Sequence, residues 1–557
     1  MNNINVLHSR TIGLFRLCLA LASLLWVGAL VSRADTHYVS LIGTNDSDNG
    51  YITWGGAATN IQWAVDKATT AGDTVLVSNG TYNLTNQISI AANITVRSLY
   101  GTNNINTSSI INGNNYVGKL VTNRCIYMTK GVVDGFVISN GYTVETATLE
   151  GGAGIQMKTA NVSTASVYNC IIGWNICANT NSSCGGGGIW IEGNSSVRYS
   201  IVTNCAVISN TVNFVSGGGI YSKNGGLIVA SRISGNKAPS AGGIIITYGG
   251  MVSNCIVDNN LGNNYGGVYL YGTGPNSIMV KSVVSNNVSY ADAGGIYLYP
   301  GGTVLDSTIT GNTASNSGGG VYFSITGGSM ISNCLVTANT AIRYYGGGIY
   351  LGGNSGPGVV SDCTIAGNVA NTGGGGLYVT ADGDNSQLVK NCLIYCNTNM
   401  TTYGGGGVYL NWTGPYPYGL INCTIVSNQA NILGGGLSTA TYSNYIANCI
   451  IYGNVTTNDV NDEVYVLTAG GTNNFWYNCA PTNLVLGQGN TTNNPRFIDA
   501  VNRNYRLGSG SPCVNAGTNM NWMTNSIDLD RRIRIRYDTV DMGAYEAIYN
   551  GTMYGVR

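Results

Sequence analysis

The feature of this sequence that most limits its fold is a two-part motif that returns about every 28 residues along half of the chain. The first part reads GG-[IVL]-[YW], and its aliphatic residue falls at Ile155, Ile189, Ile220, Ile244, Val268, Ile296, Val321, Ile349, Leu377, Val408 and Leu437. The second part reads [CS]-x-[IV]-x-x-N, and its asparagine falls at Asn175, Asn210, Asn236, Asn260, Asn287, Asn312, Asn339, Asn368, Asn397, Asn428 and Asn454. A fixed period of this length predicts a solenoid, in which each unit buries its apolar face against its neighbours.

Within each unit, residues alternate between two faces, which is the period of a β-strand rather than of a helix. In one unit, for example, Cys334, Val336 and Ala338 fall on the same face of an extended chain. Asparagine and glycine fill the segments between strands, and both tolerate the left-handed backbone of sharp bends. The sequence therefore predicts an all-β fold, a parallel β-helix in which each repeat forms one coil.

The composition indicates an ordered chain with few charges rather than a disordered one. Only 9% of the 557 residues are charged, but 44% are hydrophobic and 37 are tyrosine. This apolar content lets each coil bury enough surface to offset the entropy of ordering. The 24 basic and 24 acidic side chains balance, and no basic run or stripe occurs. A nucleic-acid partner is therefore not expected.

Residues 1–34 have the pattern of an export signal. Two arginines precede an apolar run at 17–31, and small residues follow at 32 and 34, where signal peptidase would cleave. The mature protein is expected to begin near Asp35 and to be extracellular or at the cell surface. No other stretch approaches about 20 apolar residues, so the mature chain is expected to carry no integral membrane span.

A short helix is expected before the first coil. Residues 61–68 place apolar side chains on one helical stripe, with Asn60 as the N-cap and Gly72 as a stop. Such a helix covers the open edge of the first sheet, which would otherwise invite aggregation. The segments of the chain are then a signal peptide at 1–34, an N-terminal cap at 35–73, a parallel β-helix at 74–454 with regular repeats at 151–454, and a C-terminal module at 455–557.

Three parts of the chain resemble known bacterial families. The N-terminal cap of right-handed parallel β-helix proteins of the pectate-lyase-like superfamily is similar to IQWAV (61–65), AGDTVLV (71–77), GTY (80–82) and ITVRS (94–98). The regular repeats also resemble those of polymorphic outer-membrane proteins, which are adhesins. A choice-of-anchor Q domain is similar to NNPRF (493–497), NYRL (504–507), GSPCVNAG (510–517), DLD (528–530) and DMGAYE (541–546), with Arg531 where that pattern has glycine. These resemblances imply a right-handed β-helix with a C-terminal β module and a role at the cell surface.

The residue after the aliphatic position of the first motif is the main candidate for ligand binding. When Ile296 and Leu298 point into the core, Tyr297 points outward, and its equivalents form a column spaced at about 4.8 Å. The column consists of Trp190, Tyr221, Tyr269, Tyr297, Tyr322, Tyr350, Tyr378 and Tyr409. Aromatic rings offer faces for pyranose rings and hydroxyls for hydrogen bonds, so we expect an extracellular polysaccharide or another surface polymer as partner. In the alternative, the rings stack on one another and stabilise the sheet, and the two roles are compatible.

The same face favours binding over catalysis. The polysaccharide lyases and galacturonases that the chain resembles place calcium-binding carboxylates, a basic residue or clustered aspartates there. Here Glu192 and Asp292 are the acidic residues near the repeated strand, several coils apart, and the histidines are His8 and His37. We therefore assign no catalytic residue, metal site or cofactor, and predict a structural and carbohydrate-binding, adhesin-like module. The alternatives are a polysaccharide lyase or glycoside hydrolase and a purely structural surface rod.

In two regions rich in acidic residues, calcium binding is an alternative to a purely structural role of those residues. Residues 382–385, Asp-Gly-Asp-Asn, offer oxygen ligands, but a polar turn is the preferred interpretation. In the C-terminal module, ion pairs are preferred over calcium. Those pairs would join Asp528, Asp530, Asp541 and Glu546 to Arg531, Arg532, Arg534 and Arg536.

Eight of the 15 cysteines occupy one repeat position, which predicts a ladder of buried thiols. They are Cys170, Cys205, Cys255, Cys334, Cys363, Cys392, Cys423 and Cys449, and serine takes the position at Ser231, Ser282 and Ser307. Stacked side chains lie about 4.8 Å apart, wider than the roughly 3.8 Å between the β-carbons of a disulfide. Two pairs of other cysteines could instead form disulfides, namely Cys177 with Cys184 and Cys479 with Cys513. The asparagines of the second motif are expected to form an amide ladder that satisfies the bends.

Overall fold

A computed structural model describes residues 33–102, 108–114, 123–144, 151–159, 163–178, 185–193, 200–214, 216–272, 277–324, 328–352, 358–380, 387–401, 403–411, 418–440, 444–457, 463–466, 474–481, 487–536 and 538–547. Residues Asp35–Arg557 form one compact unit, and Met1–Ala34 form a separate one. The export signal predicted at 1–34 lies almost wholly outside the described residues.

The larger unit contains a parallel β-solenoid whose coils contribute up to four short strands each. The coil of Tyr297 shows the order, with Ile296–Leu298, Thr303–Leu305, Thr308–Thr310 and Thr313–Ala314 following one another around the axis. Equivalent strands of successive coils pair in parallel and form four long sheets, which we name sheets I to IV in that order. The prediction of an all-β parallel β-helix is confirmed.

The strands of the described residues divide among the four sheets as follows. Sheet I contains Ile88–Ile90, Ile126–Met128, Ile155–Lys158, Ile189–Glu192, Ile220–Lys223, Ile244–Thr247, Val268–Tyr271, Ile296–Leu298, Val321–Phe323, Ile349–Leu351, Leu377–Val379, Val408–Leu410, Leu437–Thr439 and Val464–Val466. Sheet II contains Thr36–Val39, Thr74–Val77, Thr95–Ser98, Gly131–Asp134, Ala165–Tyr168, Ile201–Thr203, Leu227–Val229, Gly250–Ser253, Ser277–Val280, Thr303–Leu305, Met330–Ser332, Val359–Ser361, Leu388–Lys390, Gly419–Ile421, Tyr445–Ala447 and Asn474–Trp476. Sheet III contains Gly80–Asn83, Ser109–Asn112, Phe136–Ser139, Ile171–Gly173, Ala206–Ile208, Arg232–Ser234, Ile256–Asp258, Val283–Ser285, Thr308–Thr310, Leu335–Thr337, Thr364–Ala366, Leu393–Tyr395, Thr424–Val426 and Ile450–Tyr452. Sheet IV contains Tyr142–Thr143, Ile176–Cys177, Thr211–Val212, Lys237–Ala238, Leu261–Gly262, Val288–Ser289, Thr313–Ala314, Thr340–Ala341, Val369–Ala370, Thr398–Asn399, Gln429–Ala430 and Val455–Thr456.

The pairing register follows the sequence repeat. Each aliphatic residue of the first motif pairs with its equivalent in the next coil, as Ile296 does with Val268 and Val321. These side chains are buried, and with inward residues of sheets II and III they form one continuous core. Thr36–Val39 and Asn474–Trp476 also pair in sheet II, so solenoid strands occur on both sides of residues 74–454.

Two residues in a typical coil take left-handed backbone angles and mark its bends. Asn333, just before the cysteine position, has a φ of 52°, and Ala338, just before the ladder asparagine, has a φ of 54°. The left-handed residue is therefore the one before each ladder asparagine rather than the asparagine itself. This geometry turns the chain sharply and directs the following side-chain amide into the coil.

The asparagines form the predicted amide ladder. Asn287 Nδ2 donates to Asn312 Oδ1 at 2.9 Å, and Asn312 Nδ2 donates to Asn339 Oδ1 at 3.0 Å. The backbone N–H of Asn287 also donates to Asn312 Oδ1, at 3.0 Å. At its far end, the ladder meets Glu463, whose carboxylate accepts from the backbone and the side chain of Asn454. The ladder thus satisfies buried donors at every bend between sheets III and IV.

The thiol ladder is confirmed as well. All eight ladder cysteines are buried thiols outside any disulfide. Each thiol donates a hydrogen bond to the backbone carbonyl two residues earlier, as Cys334 Sγ does at 3.1 Å. Cys479 and Cys513 are likewise thiols in one buried cluster. Cys184, the alternative partner of Cys177, lies outside the described residues.

Helix α1, Ile61–Lys67, caps the first strand of sheet I as predicted. Asn60 Oδ1 accepts the backbone N–H of Gln62 at 2.8 Å, so Asn60 is the N-cap. The side-chain amide of Gln62 then pairs with the open strand edge, since its Oε1 accepts the Ser89 N–H at 2.7 Å and its Nε2 donates to the Ser89 carbonyl at 3.3 Å. An amide side chain thereby replaces the missing neighbour strand. Among the described residues, no helix is both long and apolar enough to cross a membrane.

The chain after the solenoid folds into a small C-terminal module. Its elements are the antiparallel strands Phe497–Asp499 and Asn504–Leu507 and the 3-10 helix Asn521–Met523. The module binds the solenoid bends through their asparagines. Asn448 Oδ1 accepts the Thr518 N–H at 2.8 Å, and Asn448 Nδ2 donates to the Thr518 carbonyl at 2.9 Å.

Ion pairs join acidic and basic residues of this module, as predicted. Arg534, whose side chain has no exposed surface, pairs with Glu546 at 2.8 Å. Asp530 pairs at 2.6 Å with Arg506, an arginine that was not among the predicted partners. Arg531 has a φ of 65°. Arg531, at a position where the resemblance leads us to expect glycine, therefore adopts the left-handed backbone that favours glycine.

Candidate functional site

The register of sheet I places the predicted aromatic residues in one outward column. Tyr297 pairs with Tyr322 of the next coil, while its neighbours Ile296 and Leu298 are fully buried. Ile245 takes the column position in one coil. The same register holds for the remaining predicted members, Trp190, Tyr221, Tyr269, Tyr350, Tyr378 and Tyr409.

Successive rings of the column stack on each other from Tyr297 to Tyr378, whereas Tyr269 meets Tyr297 edge-on at 72°. Tyr322 and Tyr350 lie with centroids 4.4 Å apart and planes inclined by 3°. Tyr297 lies 5.6 Å from Tyr322 at 15°, and Tyr378 lies 5.1 Å from Tyr350 at 21°. Rings that stack along the solenoid axis cover each other's faces. The alternative role, in which the rings stabilise the sheet, is therefore present, and a ligand outside would meet ring edges and hydroxyls.

Exposure divides the column into an accessible and a covered part. Trp190 is only 1% exposed, Tyr378 7% and Tyr409 9%, so these three rings offer little surface to a ligand. The members that keep partial exposure are Tyr221, Tyr269, Tyr297, Tyr322 and Tyr350. The surface that a ligand can reach is thus in the middle of the column.

Rings outside the column widen this surface. Tyr265 stacks on Tyr297 with centroids 3.9 Å apart, and Tyr271 packs against Tyr299 at 5.1 Å. Tyr271 and Tyr299 lie two residues after column members, so the strand period already placed them on the same face. Tyr265 lies in the bend before its strand, where no repeat pattern pointed to it. We name as the tyrosine face the residues Tyr265, Tyr269, Tyr271, Tyr297, Tyr299, Tyr322 and Tyr350.

A second group of rings lies at the corner beside Tyr378. Tyr345 stacks on Tyr378 with centroids 4.3 Å apart, and Tyr344 lies 6.4 Å from Tyr345. Tyr344 is 49% exposed and Tyr403 57% exposed. Burial, followed by the nearby hydroxyls of Tyr403 and Tyr344, raises the pKa of Tyr345. These corner rings, which the sequence did not predict, have much more exposed surface than the stacked column.

The hydroxyls of the tyrosine face are neutral hydrogen-bonding groups. Burial is the largest cause that raises the pKa of Tyr269, Tyr297 and Tyr322 above the ordinary value for tyrosine. Negative charge on the hydroxyls of neighbouring tyrosines would raise the pKa of Tyr269 further. A protonated phenol both donates and accepts a hydrogen bond. The face therefore presents several donors and acceptors without charge.

Asp292 is the acidic residue at this face. It lies half-buried in the bend before Tyr297, and its Oδ1 accepts the backbone N–H of Ser317 at 3.0 Å. Burial raises the pKa of its carboxyl, and the Ser317 hydrogen bond opposes that shift. Burial and then the Asp292 charge raise the pKa of Tyr322, and the same charge acts on Tyr265 and Tyr297. The structure thus brings the predicted Asp292 together with three rings of the tyrosine face.

The other predicted acidic positions lie apart from Asp292. Glu192 ends its strand several coils away, with its Oε2 at 3.8 Å from Lys158 Nζ. Residues 382–385, the alternative calcium loop, lie outside the described residues. Across the part of the chain that the structure describes, no group of three histidine, cysteine, aspartate or glutamate side chains could hold a metal ion.

Comparison with known proteins identifies the family of the solenoid. Residues 153–314 and 281–456 match a family model described as "Right handed beta helix region", and the two matches together cover more than half of the chain. A solved structure titled "Crystal structure of pectate lyase Pel9A" is 13% identical, with a TM-score of 0.32 over 92% of this chain and 98% of the other. No curated protein matches the chain. By the extent of the family match, the chain belongs to the right-handed β-helix family.

Proposed function

We propose that this protein is a secreted or cell-surface structural module that binds an extracellular polysaccharide, in the manner of an adhesin, through its tyrosine face. The observation that carries the proposal is the set of neutral, partly exposed phenol groups that repeats in register over successive coils. A solenoid repeats these donors and acceptors at about 4.8 Å, and a polysaccharide repeats its hydroxyls along its length. A periodic surface of this kind suits a periodic ligand.

Two kinds of contact support binding on this side of the solenoid. In the tyrosine face, stacking leaves ring edges and hydroxyls for hydrogen bonds, as for Tyr297 and Tyr322. At the neighbouring corner, Tyr344 and Tyr403 keep about half of their surface exposed, which suits stacking against a sugar ring. Each contact is weak alone, and contacts on several coils add up when one chain spans them.

The test is retention of the protein, residues Asp35–Arg557, by immobilised and soluble polysaccharides. The double variant Tyr297→Phe with Tyr322→Phe removes two hydroxyls and keeps the stacked rings. We expect it to weaken retention about tenfold, since each lost hydrogen bond is worth about 0.5–1.5 kcal/mol. The matched control is Tyr168→Phe, which removes a hydroxyl from a half-buried ring of sheet II. Retention of the double variant at the level of the wild type would show that the tyrosine face is not the binding site.

The same assay separates the other interpretations of the fold. Oligosaccharide released from the polymer would identify a polysaccharide lyase or glycoside hydrolase instead of a binding module. If the protein is not retained and no oligosaccharide is released, the result would favour a purely structural rod.

The proposed location outside the cell draws on the export signal predicted at 1–34 and on the resemblances to polymorphic outer-membrane repeats and the choice-of-anchor Q domain. Labelling of intact cells with a reagent that cannot enter them would test it. The protein should be labelled, and a cytoplasmic marker should not.

A further inference from the structure

The charge pattern around the tyrosine face indicates which class of polysaccharide it takes. In eight successive coils, we consider the strand of sheet I together with the bend before it. These segments are residues 240–247, 264–271, 290–299, 315–324, 341–352, 371–380, 403–411 and 433–440. Asp292 and Arg343 are the only charged residues in these eight stretches of the sequence. A face this long with so little charge lacks the cations that would hold a polyanion.

Asp292 is held in place at the face by the next coil. Its Oδ1 accepts the Ser317 N–H at 3.0 Å, and the N–H of the following residue, Ala293, donates to the Ser317 carbonyl at 3.0 Å. Ala293 is fully buried and has a φ of 54°, so the backbone next to Asp292 is part of a tight bend. These contacts keep the carboxylate beside Tyr297 and Tyr322 rather than letting it turn into solvent.

Arg343 does not balance this charge. It lies at an exposed corner two coils from Asp292, about 10 Å further along the axis. A separation of this size is about one Debye length at physiological salt, so the exposed guanidinium is largely screened from the half-buried Asp292 carboxylate.

We infer that Asp292 determines the specificity of the tyrosine face by excluding anionic polysaccharides, so that the ligand is an uncharged polysaccharide. This inference rests on the proposed glycan-binding function. The hydroxyl of an uncharged sugar donates a charge-assisted hydrogen bond to the Asp292 carboxylate. The carboxylate of a uronic acid, or a sulfate group, would instead lie against a like charge with no cation beside it.

The experiment compares polymers that share a backbone and differ in charge. The pairs are polygalacturonate with its methyl ester, carboxymethylcellulose with hydroxyethylcellulose, and a sulfated galactan with the unmodified galactan. A chelator is present throughout, so that no divalent cation bridges protein and polymer. Retention is measured for the wild type, for Asp292→Asn and for the control Asp306→Asn. Asp306 lies in the same coil, is exposed at the bend between sheets II and III, and accepts from Asn333 Nδ2.

In at least one pair, we expect the wild type to be retained on the uncharged polymer and about tenfold less on its anionic form. Asp292→Asn should bring the anionic form to within about twofold of the uncharged one, and Asp306→Asn should leave the difference unchanged. Added salt should also narrow the difference for the wild type, because it screens like-charge repulsion.

Equal retention of both polymers by the wild type would overturn the role of Asp292 and leave the glycan-binding function intact. A preference for the uncharged polymer that persists in Asp292→Asn would also overturn the role of Asp292 and leave the glycan-binding function intact. Absence of retention on every polymer would instead overturn the proposed function, and the inference about Asp292 with it.

Discussion

Glu463 ends the asparagine ladder by accepting both N–H groups of Asn454 through one carboxylate oxygen, the backbone group at 2.8 Å and the side-chain group at 2.7 Å. Elsewhere in the ladder, the amide oxygen of the next asparagine takes this place, as Asn454 does for Asn428. A carboxylate is a stronger acceptor than an amide and has no donor of its own that would need a further coil. Glu463 therefore terminates a polar chain that could otherwise continue only with another repeat.

Replacing Glu463 should loosen the last coils locally. Glu463→Ala leaves buried N–H groups of Asn454 without an acceptor, which costs about 1–3 kcal/mol. Because each repeat contacts only its neighbours, we expect faster hydrogen exchange in peptides that cover 450–456 and no change around Asn287. Glu463→Gln keeps one oxygen and should give an intermediate effect. Unchanged exchange at 450–456, or equal loosening near Asn287, would contradict the role of Glu463 as a terminal acceptor.

The ring of Tyr322 should contribute more to stability than its hydroxyl. Tyr322 stacks on Tyr350 at 4.4 Å and on Tyr297 at 5.6 Å, and each such pair is worth about 0.5–1.5 kcal/mol. Tyr322→Ala should therefore lower the free energy of unfolding by about 1–3 kcal/mol. Tyr322→Phe keeps both stacked pairs and should stay close to the wild type. Urea unfolding followed by circular dichroism measures both, and a phenylalanine variant as unstable as the alanine variant would show that stacking is not the main contribution.

The C-terminal module should be more stable in mild acid than at neutral or alkaline pH. Burial, opposed by the Arg534 charge and aided by the nearby Asp541 carboxylate, raises the pKa of Glu546 from its ordinary 4.5 to about 7. Burial also raises the pKa of Asp541. A raised pKa means that the folded state binds the proton more tightly than the unfolded chain does. The resulting stabilisation is complete below about pH 4.5 and is lost as the pH rises through about 7.

The measurement for this pH dependence is the urea midpoint of the module between pH 5 and pH 8. A shift of this size corresponds to about 2–4 kcal/mol, to be seen as a lower midpoint at pH 8. Glu546→Gln, which mimics the protonated side chain, should remove most of the difference. A midpoint that rises from pH 5 to pH 8 would contradict the raised pKa of Glu546.

The ladder thiols should resist alkylation while the protein is folded. Burial raises the pKa of the ladder thiol Cys255 to about 11, so little reactive thiolate exists at this position near pH 8. The other ladder thiols are buried as well, which keeps the reagent from reaching them. Cys396 is partly exposed and provides the internal comparison. We expect iodoacetamide to modify Cys396 first and the ladder positions only in urea, as read by peptide mass spectrometry. Equal labelling of Cys255 and Cys396 in the folded protein would contradict the buried ladder.

Much of the fold could be predicted because its contacts repeat with the sequence. Ile296, Asn312 and Cys334 each meet a copy of themselves, or a close substitute, one coil away, so one period defines the core and both ladders. The alternation of strand residues likewise placed Tyr297 on the outer face. The same period places Tyr271 and Tyr299 beside the column, two residues after Tyr269 and Tyr297.

The remaining features depend on bends and on distant parts of the chain. Whether rings turn their faces outward or onto each other depends on packing between coils, and the structure shows that Tyr322 and Tyr350 stack. Tyr265 reaches Tyr297 from a bend, and Asp292 lies among these rings because the next coil binds it through Ser317. Such bend positions follow no repeat, so their neighbours could not be read from spacing.

The sequence by itself determined the parallel solenoid, its buried faces, its two ladders and the outward column, because these arise from local strand preference and nearest-neighbour contacts at one period. Only the tertiary structure decided which rings remain accessible, where Asp292 lies and how the C-terminal module binds. Arg534 of that module hydrogen-bonds Asn391 of the solenoid, 143 residues earlier in the chain. No repeat relates these two residues, and packing of the whole chain is what brings them together.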